Sequence, residues 1–243
     1  MKRILLLGGI GDALQLARRL APHHEVTYSL AGRTNRPLTL PCAISVGGFG
    51  GVTGLTDFLK NGRFTLLIDA THPYAARISW HAMLAAKATG IPLWAYRRPP
   101  WQPAAEVTWR CVDGWVNLKM ALSAFYRPFF TIGQEPLNQV ASIPPTQHWL
   151  IRCLTEQAPS QPNLSILNAL GPFTVEAESA VMQRYDVDVL VSKNSGGSVV
   201  AAKLEAARLL KIPVLMLERP RLPAADQEFD DIVVLSDQLS RHP

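Results

Sequence analysis

The sequence has few cysteines, no long apolar run and no low-complexity tract. Its three cysteines, Cys42, Cys111 and Cys153, are widely spaced and odd in number, so they form neither a disulfide framework nor a metal-ligand pattern. The first apolar stretch, Ile4 to Leu7, is too short for a secretion signal or a membrane span. We therefore expect a protein of the reducing cytoplasm with no membrane segment and no bound metal.

Acidic residues are the scarcer charged class. The chain has 24 lysines and arginines against 19 aspartates and glutamates, which gives a net charge of +5. The arginines are scattered at the ends of predicted strands, and no recognised nucleic-acid module or basic helical stripe is present. Nucleic acid is thus the least expected partner, and arginines that converge on a small polyanionic ligand explain the charge better. For any single arginine, a surface ion pair is the alternative.

Short apolar runs alternate with helical patterns along the 243 residues, which is typical of an α/β fold. Strands are predicted in the first half at 4–7, 26–30, 43–46, 66–68 and 93–96, and in the second at 107–111, 129–133, 149–152, 166–170, 187–191 and 214–217. Prolines from Pro99 to Pro103 separate the two sets. We expect two Rossmann-like, doubly wound parallel-sheet domains, residues 1–100 and 101–243, that face a central cleft. A last apolar segment, Ile232 to Leu235, is expected to add a strand to either sheet.

The first predicted strand ends in Gly8-Gly9-Ile10-Gly11, and a helical pattern follows. Glycines let backbone N–H groups approach a nucleotide phosphate, and a helix N-terminus favours anions. The match to G-x-G-x-x-G is incomplete because Leu14 occupies the third glycine position, and Asp12 adds a negative charge nearby. A phosphate loop and an ordinary strand-to-helix turn are therefore equal alternatives.

Other strands of the first half also end in small or polar residues. In a dinucleotide fold the end of the second strand contacts the adenine ribose, and Arg33 and Thr34 there, without an acidic residue, favour NADP. Gly47-Gly48-Phe49-Gly50-Gly51 would let a ligand approach the backbone closely. Ala70-Thr71-His72-Pro73 follows a buried strand, and His72 is either a capping or packing residue or a proton donor near neutral pH.

The second half has a comparable segment, Ser192-Lys193-Asn194-Ser195-Gly196-Gly197, directly before a helix. Its backbone N–H groups, hydroxyls, amide and ammonium make an anion site. Three arginines, Arg98, Arg152 and Arg219, stand at other strand ends, and the guanidinium fork suits carboxylates. The sequence therefore predicts a carboxylate-binding region.

Taken in order, these motifs resemble the precorrin-6A reductase family of cobalamin biosynthesis. The resemblance runs nearly end to end and also includes Gly171-Pro172-Phe173 and Arg219-Pro220. It implies reduction of a ring double bond of a polycarboxylate tetrapyrrole, precorrin-6A, by NADPH. The implied cofactor-binding residues are Gly8, Gly9, Ile10, Gly11, Asp12, Arg33, Thr34, Gly48, Phe49, Gly50, Gly51, Ala70, Thr71, His72 and Pro73. The implied substrate-binding residues are Arg98, Arg152, Lys193, Asn194, Ser195, Gly196, Gly197 and Arg219.

The sequence departs from the family pattern at three positions. Ile10 and Asp12 stand where the family usually has threonine and a nearby glutamate, and Gln134 stands where a lysine is common. The glycine-rich segments look more like the cobalt-independent branch. The alternatives are a cobalt-precorrin-6A reductase, another NADP-dependent reductase of a small anion, and a tetrapyrrole carrier. No sequence feature calls for an oligomer, so a monomer remains open.

Overall fold

The computed structural model describes residues 1–32, 39–103, 109–155, 159–197 and 201–241. The chain divides into two compact units: unit 1 comprises Met1–Pro99 and Pro220–Pro243, and unit 2 comprises Pro100–Arg219. Each unit contains a six-stranded sheet with parallel strand pairs. This confirms the predicted fold class. Across the described residues, no helix combines the length and apolar character that spanning a membrane would require.

The first part of unit 1 alternates strands with helices as the sequence predicts. Its elements are β1 (Arg3–Leu7), α1 (Gly11–Leu20), β2 (Glu25–Leu30), β3 (Ala43–Val46), α2 (Gly51–Asn61), β4 (Leu66–Asp69), α3 (Ala76–Thr89) and β5 (Leu93–Tyr96). All four residues of β4 and of β5 are buried, as expected for parallel strands with both faces covered.

Unit 2 follows, and the chain then returns to unit 1. The elements of unit 2 are β6 (Trp109–Val112), α4 (Gly114–Leu122), β7 (Pro128–Phe130), a 3₁₀ helix (Glu135–Ser142), β8 (Trp149–Arg152), β9 (Leu164–Leu167), α5 (Val175–Arg184), β10 (Val189–Lys193), α6 (Ala202–Leu209) and β11 (Val214–Leu217). The returning segment adds β12 (Gln227–Phe229) and α7 (Ile232–Arg241) to unit 1.

The two sheets have the same strand order. Sheet order is β12-β5-β4-β1-β2-β3 in unit 1 and β6-β11-β10-β7-β8-β9 in unit 2. The strand that follows β5 in the chain, β6, pairs with β11 of unit 2, whereas β12 pairs with β5. Unit 1 therefore takes its edge strand β12 from the segment that follows unit 2, whereas unit 2 takes its edge strand β6 from its own beginning.

The core of unit 1 follows from the alternation of side chains along β1. Ile4 and Leu6 pack on one face of the sheet with leucines of α1 and α7, whereas Leu5 and Leu7 pack on the other with α2 and α3. Each fully buried leucine contributes about 1.5–3 kcal/mol relative to an exposed one. Because helices cover both faces of the sheet, polar residues can contact a ligand only at the ends of the strands.

The C-terminal segment differs from expectation in two ways. The predicted strand from Ile232 to Leu235 is wrong, because these residues begin α7, in which Leu235 and Leu239 are buried one turn apart. The Asp231 carboxylate accepts a hydrogen bond from the Val233 amide (2.6 Å) at the helix start. The structure also assigns 220–243 to unit 1, whereas the expected second domain ran from 101 to 243.

Candidate active site

Strand order reverses at one place in each sheet, between β1 and β4 in unit 1 and between β7 and β10 in unit 2. In open α/β sheets, ligands bind outside the carboxyl ends of the strands at such a switch point. Hydrogen bonds hold the strand ends together there, from the Ala70 amide to the Leu7 carbonyl (2.9 Å) and from the Thr131 amide to the Val191 carbonyl (2.9 Å). The segments after β1, β4 and β10 are those predicted from the sequence.

The turn after β1 has a glycine that no other residue can replace. A Cβ atom on Gly8 would lie 2.3 Å from the ring of Tyr28, and the Tyr28 hydroxyl accepts a hydrogen bond from the Gly9 amide (2.8 Å). Gly9 has a φ of 116°, in the region that favours glycine. Ile10 provides no side-chain cap for α1, which leaves the start of the helix to a ligand. This geometry favours a phosphate loop over an ordinary turn.

Asp12, beside this turn, is neutralised by unit 1 itself. Its carboxylate accepts hydrogen bonds from Arg98 Nε (2.7 Å) and from the Tyr96 hydroxyl (3.0 Å). Burial, followed by the hydrogen bond and the charge of Asp12, raises the pKa of Tyr96 to about 12. Arg98 was predicted to bind substrate, but it lies among the predicted cofactor residues and offsets the charge of Asp12.

Thr71 is fixed by a buried network that the sequence analysis missed. The carboxylate of Asp69, which is fully buried, accepts hydrogen bonds from the Thr71 amide (3.1 Å), the Thr71 hydroxyl (2.6 Å) and Arg97 Nη1 (2.8 Å). The Thr71 hydroxyl also lies 3.5 Å from Ser79 Oγ. An acidic residue at the end of a fully apolar strand was the available signal for this network.

His72 lies directly after this network. Its Nδ1 accepts a hydrogen bond from the Tyr74 amide (3.2 Å), and the two rings lie 5.7 Å apart between centroids. An accepting Nδ1 assigns the proton of the neutral ring to Nε2. In this neutral form, Nε2–H can donate a hydrogen bond to a ligand. Donation of a proton requires the imidazolium, in which Nδ1 carries a proton and no longer accepts from the Tyr74 amide.

In the second glycine-rich turn, after β3, the backbone is open to a ligand, but the ring of Phe49 is not. Gly47, Gly50 and Gly51 have φ values of 117°, 76° and 94°. Phe49 packs against Phe58 with centroids 5.0 Å apart, so its ring belongs to the core beneath α2. Arg33 and Thr34, predicted to contact the ribose phosphate, lie outside the described residues.

In unit 2, Asn194 organises the end of β10. Its side-chain oxygen accepts a hydrogen bond from the Trp101 amide (2.8 Å), and its side-chain nitrogen donates one to the Trp101 carbonyl (3.1 Å). The Trp101 indole donates to the Gly197 carbonyl (2.9 Å), and Arg219 Nε donates to the Asn194 carbonyl (2.7 Å). The structure thus brings Asn194, Gly197 and Arg219 together, with Asn194 in a positioning role.

Two predicted substrate cations of unit 2 already face carboxylates. Arg152 forms a two-pronged pair with Glu178 (2.9 and 2.8 Å), and its guanidinium lies 4.0 Å from the centroid of the Phe173 ring. Glu178 is only 2% exposed, so this is a buried ion pair of the scaffold. Lys193 pairs with Glu135 (2.5 Å), and Gln134, next to Glu135, donates to the Leu154 carbonyl.

Lys203 is a further cation of unit 2 that the sequence analysis missed. It lies on the buried face of α6 with Leu204, Ala206 and Ala207. Burial, with a smaller contribution from Arg152, lowers the pKa of Lys203 to about 8. A lysine within an otherwise apolar helical stripe was the signal that could have identified it.

Sequence comparison identifies the family. The family described as precorrin-6x reductase CbiJ/CobK matches residues 3–239. The chain belongs to this family. A precorrin-6A reductase from Rhodococcus erythropolis is 41% identical over 236 residues, which is 96% of this chain and 95% of that protein. One from a Sinorhizobium species is 42% identical over 227 residues, 91% of this chain and 86% of that protein.

A solved structure and a more distant relative agree with this assignment. A CobK precorrin-6A reductase structure superposes with a TM-score of 0.87 at 34% identity, and the match covers 100% of this chain and 98% of that one. A cobalt-precorrin-6A reductase from Priestia megaterium is 31% identical over 240 residues, 90% of this chain and 91% of that protein.

Membership of the CbiJ/CobK family confirms the resemblance inferred from the motifs. It also confirms the predicted activity, that of a precorrin-6A reductase in cobalamin biosynthesis. A reductase needs a hydride donor, and the open glycine turn of unit 1 supports a nicotinamide cofactor. Within the described ranges, no group of three or more histidine, cysteine, aspartate or glutamate side chains could hold a metal ion.

Proposed function

We propose that unit 1 binds NADPH and that unit 2 binds the carboxylates of precorrin-6A. The observation that carries this proposal is the uncapped start of α1 beside Gly8 and Gly9, at the switch point and next to Thr71 and His72. Backbone N–H groups there can bind a pyrophosphate. The cations at the end of β10 suit a substrate with several carboxylates.

NADPH supplies a hydride to one ring carbon of the substrate, and the neighbouring carbon gains a proton. Thr71, fixed by Asp69, orients the cofactor at the end of β4. His72 Nε2 either positions the reactants or donates the proton, and the positioning role is favoured because solvent can protonate an electron-rich ring. The segment from Ala70 to Pro73 thus shapes the reaction without supplying its electrons.

The choice of NADPH over NADH rests on Arg33 and Thr34. The second strand ends without an acidic residue that would bind the ribose hydroxyl of NADH, and a nearby arginine accommodates the 2′-phosphate. Replacing Arg33 with alanine should therefore raise the KM for NADPH far more than the KM for NADH.

We also propose a cobalt-free substrate and a cytoplasmic location. The identity to precorrin-6A reductases near 40% exceeds the 31% to a cobalt-precorrin-6A reductase, which supports the first point. The free thiols of Cys42, Cys111 and Cys153 are compatible with a reducing compartment, which supports the second.

The deciding experiment measures nucleotide oxidation with precorrin-6A, using NADPH and NADH in parallel. We expect oxidation of NADPH with a matching change in the tetrapyrrole spectrum and a strong preference over NADH. Tetrapyrrole binding without oxidation of either nucleotide would leave a carrier, the competing function. For His72→Ala, unchanged turnover across pH together with intact NADPH binding would rule out an essential acid.

A further inference from the structure

Lys203 is a buried lysine to which the function described so far gives no role. It lies in the first turn of α6 and is only 6% exposed. Lysines are almost never this buried unless they are paired. Within the described part of the chain, however, its ammonium group has neither a hydrogen bond nor a carboxylate within 4 Å. A packing role alone does not explain a charged group in this place.

The charges around Lys203 do not balance. Arg152 and Lys193 are near enough to lower its pKa, and Glu178 is near enough to oppose that effect. Each nearby carboxylate, however, already has its own cation, since Glu178 pairs with Arg152 and Glu135 pairs with Lys193. Among the described residues, three cations therefore share two carboxylates. A buried charge needs either a counter-charge or the loss of its proton.

The position of Lys203 relates it to the end of β10. Its ammonium nitrogen lies 5.9 Å from the centroid of the Trp101 ring, and the indole of Trp101 bonds to the Gly197 carbonyl. Gly196 and Gly197 have φ values of 66° and 79°, a left-handed geometry that arranges backbone N–H groups for anion binding. Trp101 thus links the ammonium group of Lys203 to the turn after β10, whose backbone geometry suits an anion.

We propose that Lys203 binds a carboxylate of the ligand held by unit 2 at the end of β10. The inference rests on the proposed function, in which the substrate carries several acetate and propionate groups. The ligand carboxylate supplies the counter-charge that Lys203 does not have among the residues the structure describes, while Arg152 and Lys193 remain paired with Glu178 and Glu135. The competing explanation is a neutral lysine that only packs against Trp101.

Lys203→Met tests this directly, because methionine keeps most of the volume and removes the charge. The probe is uroporphyrin III, a stable porphyrin with eight carboxylates, titrated by fluorescence. We expect its Kd to rise about 10- to 100-fold, the loss expected for one charge-assisted hydrogen bond. The Kd for NADPH should stay within about twofold. Lys119→Met, which removes an exposed charge from the same unit, is the matched control.

The thermal midpoint of Lys203→Met separates binding from folding. Removal of an unmatched buried charge should leave the midpoint unchanged or raise it. An unchanged Kd for uroporphyrin III in a folded variant would overturn the proposal. If the variant does not fold, wild-type protein provides the test, since probe affinity should fall between pH 7 and 9.5 as Lys203 loses its proton.

The pH titration has its own controls. Among the described residues, the other charged groups around Lys203 are Arg152, Glu178 and Lys193, with Glu135 paired to Lys193. The Lys119→Met variant retains them all. A constant probe affinity from pH 7 to 9.5 would contradict the proposal. The protein could bind the probe through Lys203 and yet oxidise no NADPH with precorrin-6A. In that case the proposed use of NADPH fails, and the proposed role of Lys203 stands.

Discussion

The two switch points differ in the groups that carry positive charge, which are backbone N–H groups in unit 1 and side-chain cations in unit 2. In unit 1 both arginines that follow β5, Arg97 and Arg98, bond to carboxylates of the same unit, and the predicted phosphate site consists of backbone N–H groups. In unit 2 three cations lie around Lys203, counting Lys203 itself with Arg152 and Lys193, and among the described residues Lys203 has no carboxylate within 4 Å. If both proposals hold, two sheets of similar strand order carry two different kinds of anion site.

This difference shows that pairing, rather than residue type, separates scaffold cations from binding cations. An arginine with a buried carboxylate partner stabilises the fold, and its removal leaves the partner's charge uncompensated. A buried cation without a carboxylate partner is available to form an ion pair with a ligand. Backbone dipoles suit a phosphate that must approach closely, whereas mobile side-chain charges suit carboxylates carried on flexible substituents.

Arg152→Ala should have the largest effect, because Glu178 would remain buried without its cation. We expect a loss of about 3–5 kcal/mol in the free energy of unfolding, measured by urea denaturation. Arg184→Ala on α5, which removes an exposed arginine, should cost less than about 1 kcal/mol. If Arg152→Ala were stable and only raised the KM for the tetrapyrrole, Arg152 would belong with the binding cations.

Because of Lys203, the stability of the protein should rise with pH, whereas a lysine paired with a carboxylate makes stability fall as the pH rises. The folded state loses the Lys203 proton near pH 8, whereas the unfolded chain keeps it to about 10.5. Stability should therefore rise with pH across this window, because the unfolded state binds more protons. Relative to wild type, Lys203→Met should be more stable at pH 7 by on the order of 3 kcal/mol.

Urea denaturation of both proteins at pH 7 and pH 9.5 measures this difference, and the comparison cancels the titration of other groups. The advantage of Lys203→Met should shrink as the pH rises. A constant difference, or a variant less stable at pH 7, would mean that Lys203 has a counter-charge within the free protein and that the two switch points do not differ as described.

Gly8→Ala tests the turn of unit 1. The added Cβ would enter the ring of Tyr28, which is buried, so we expect a loss of about 1–3 kcal/mol and weaker NADPH binding. Gly11→Ala, at the start of α1, meets no atom within 4 Å and should change stability by less than about 0.5 kcal/mol. Equal effects of the two substitutions on unfolding would contradict the close approach of Gly8 and Tyr28.

The fold was predictable wherever periodicity and burial agree. The apolar run of β4, bounded by polar residues, predicted a strand with both faces covered, and the neighbouring helices followed from the spacing of their apolar residues. The C-terminal segment was not predictable, because Ile232 to Leu235 has the composition of a strand but forms a helix. The strand β12 has no apolar run, and its pairing depends on contacts such as that between Trp94 and Phe229.

The strand ends that carry the candidate site residues were predictable, but the ion pairs of those residues were not. Parallel strands place their carboxyl ends at one edge, and Gly8, Thr71 and Asn194 follow β1, β4 and β10 as the sequence predicted. It could not show that Arg152 already bonds to Glu178, because the two residues lie 26 positions apart and meet only in the folded chain. For the same reason, Lys203 was visible only once the burial of α6 was known.

Asp12→Asn should have the smallest effect on stability. It tests whether Asp12 is paired with Arg98 and Tyr96 beside the turn after β1. Asp12 and Arg98 are partly exposed, so the loss should stay below about 1 kcal/mol. The informative readout is the titration of Tyr96 by ultraviolet absorbance, with Tyr96→Phe to identify its signal. Burial is the largest cause of the raised pKa of Tyr96 and Asp12 the next, so the pKa should fall from about 12 but stay above its ordinary value. An unchanged titration would mean that Asp12 does not face Tyr96.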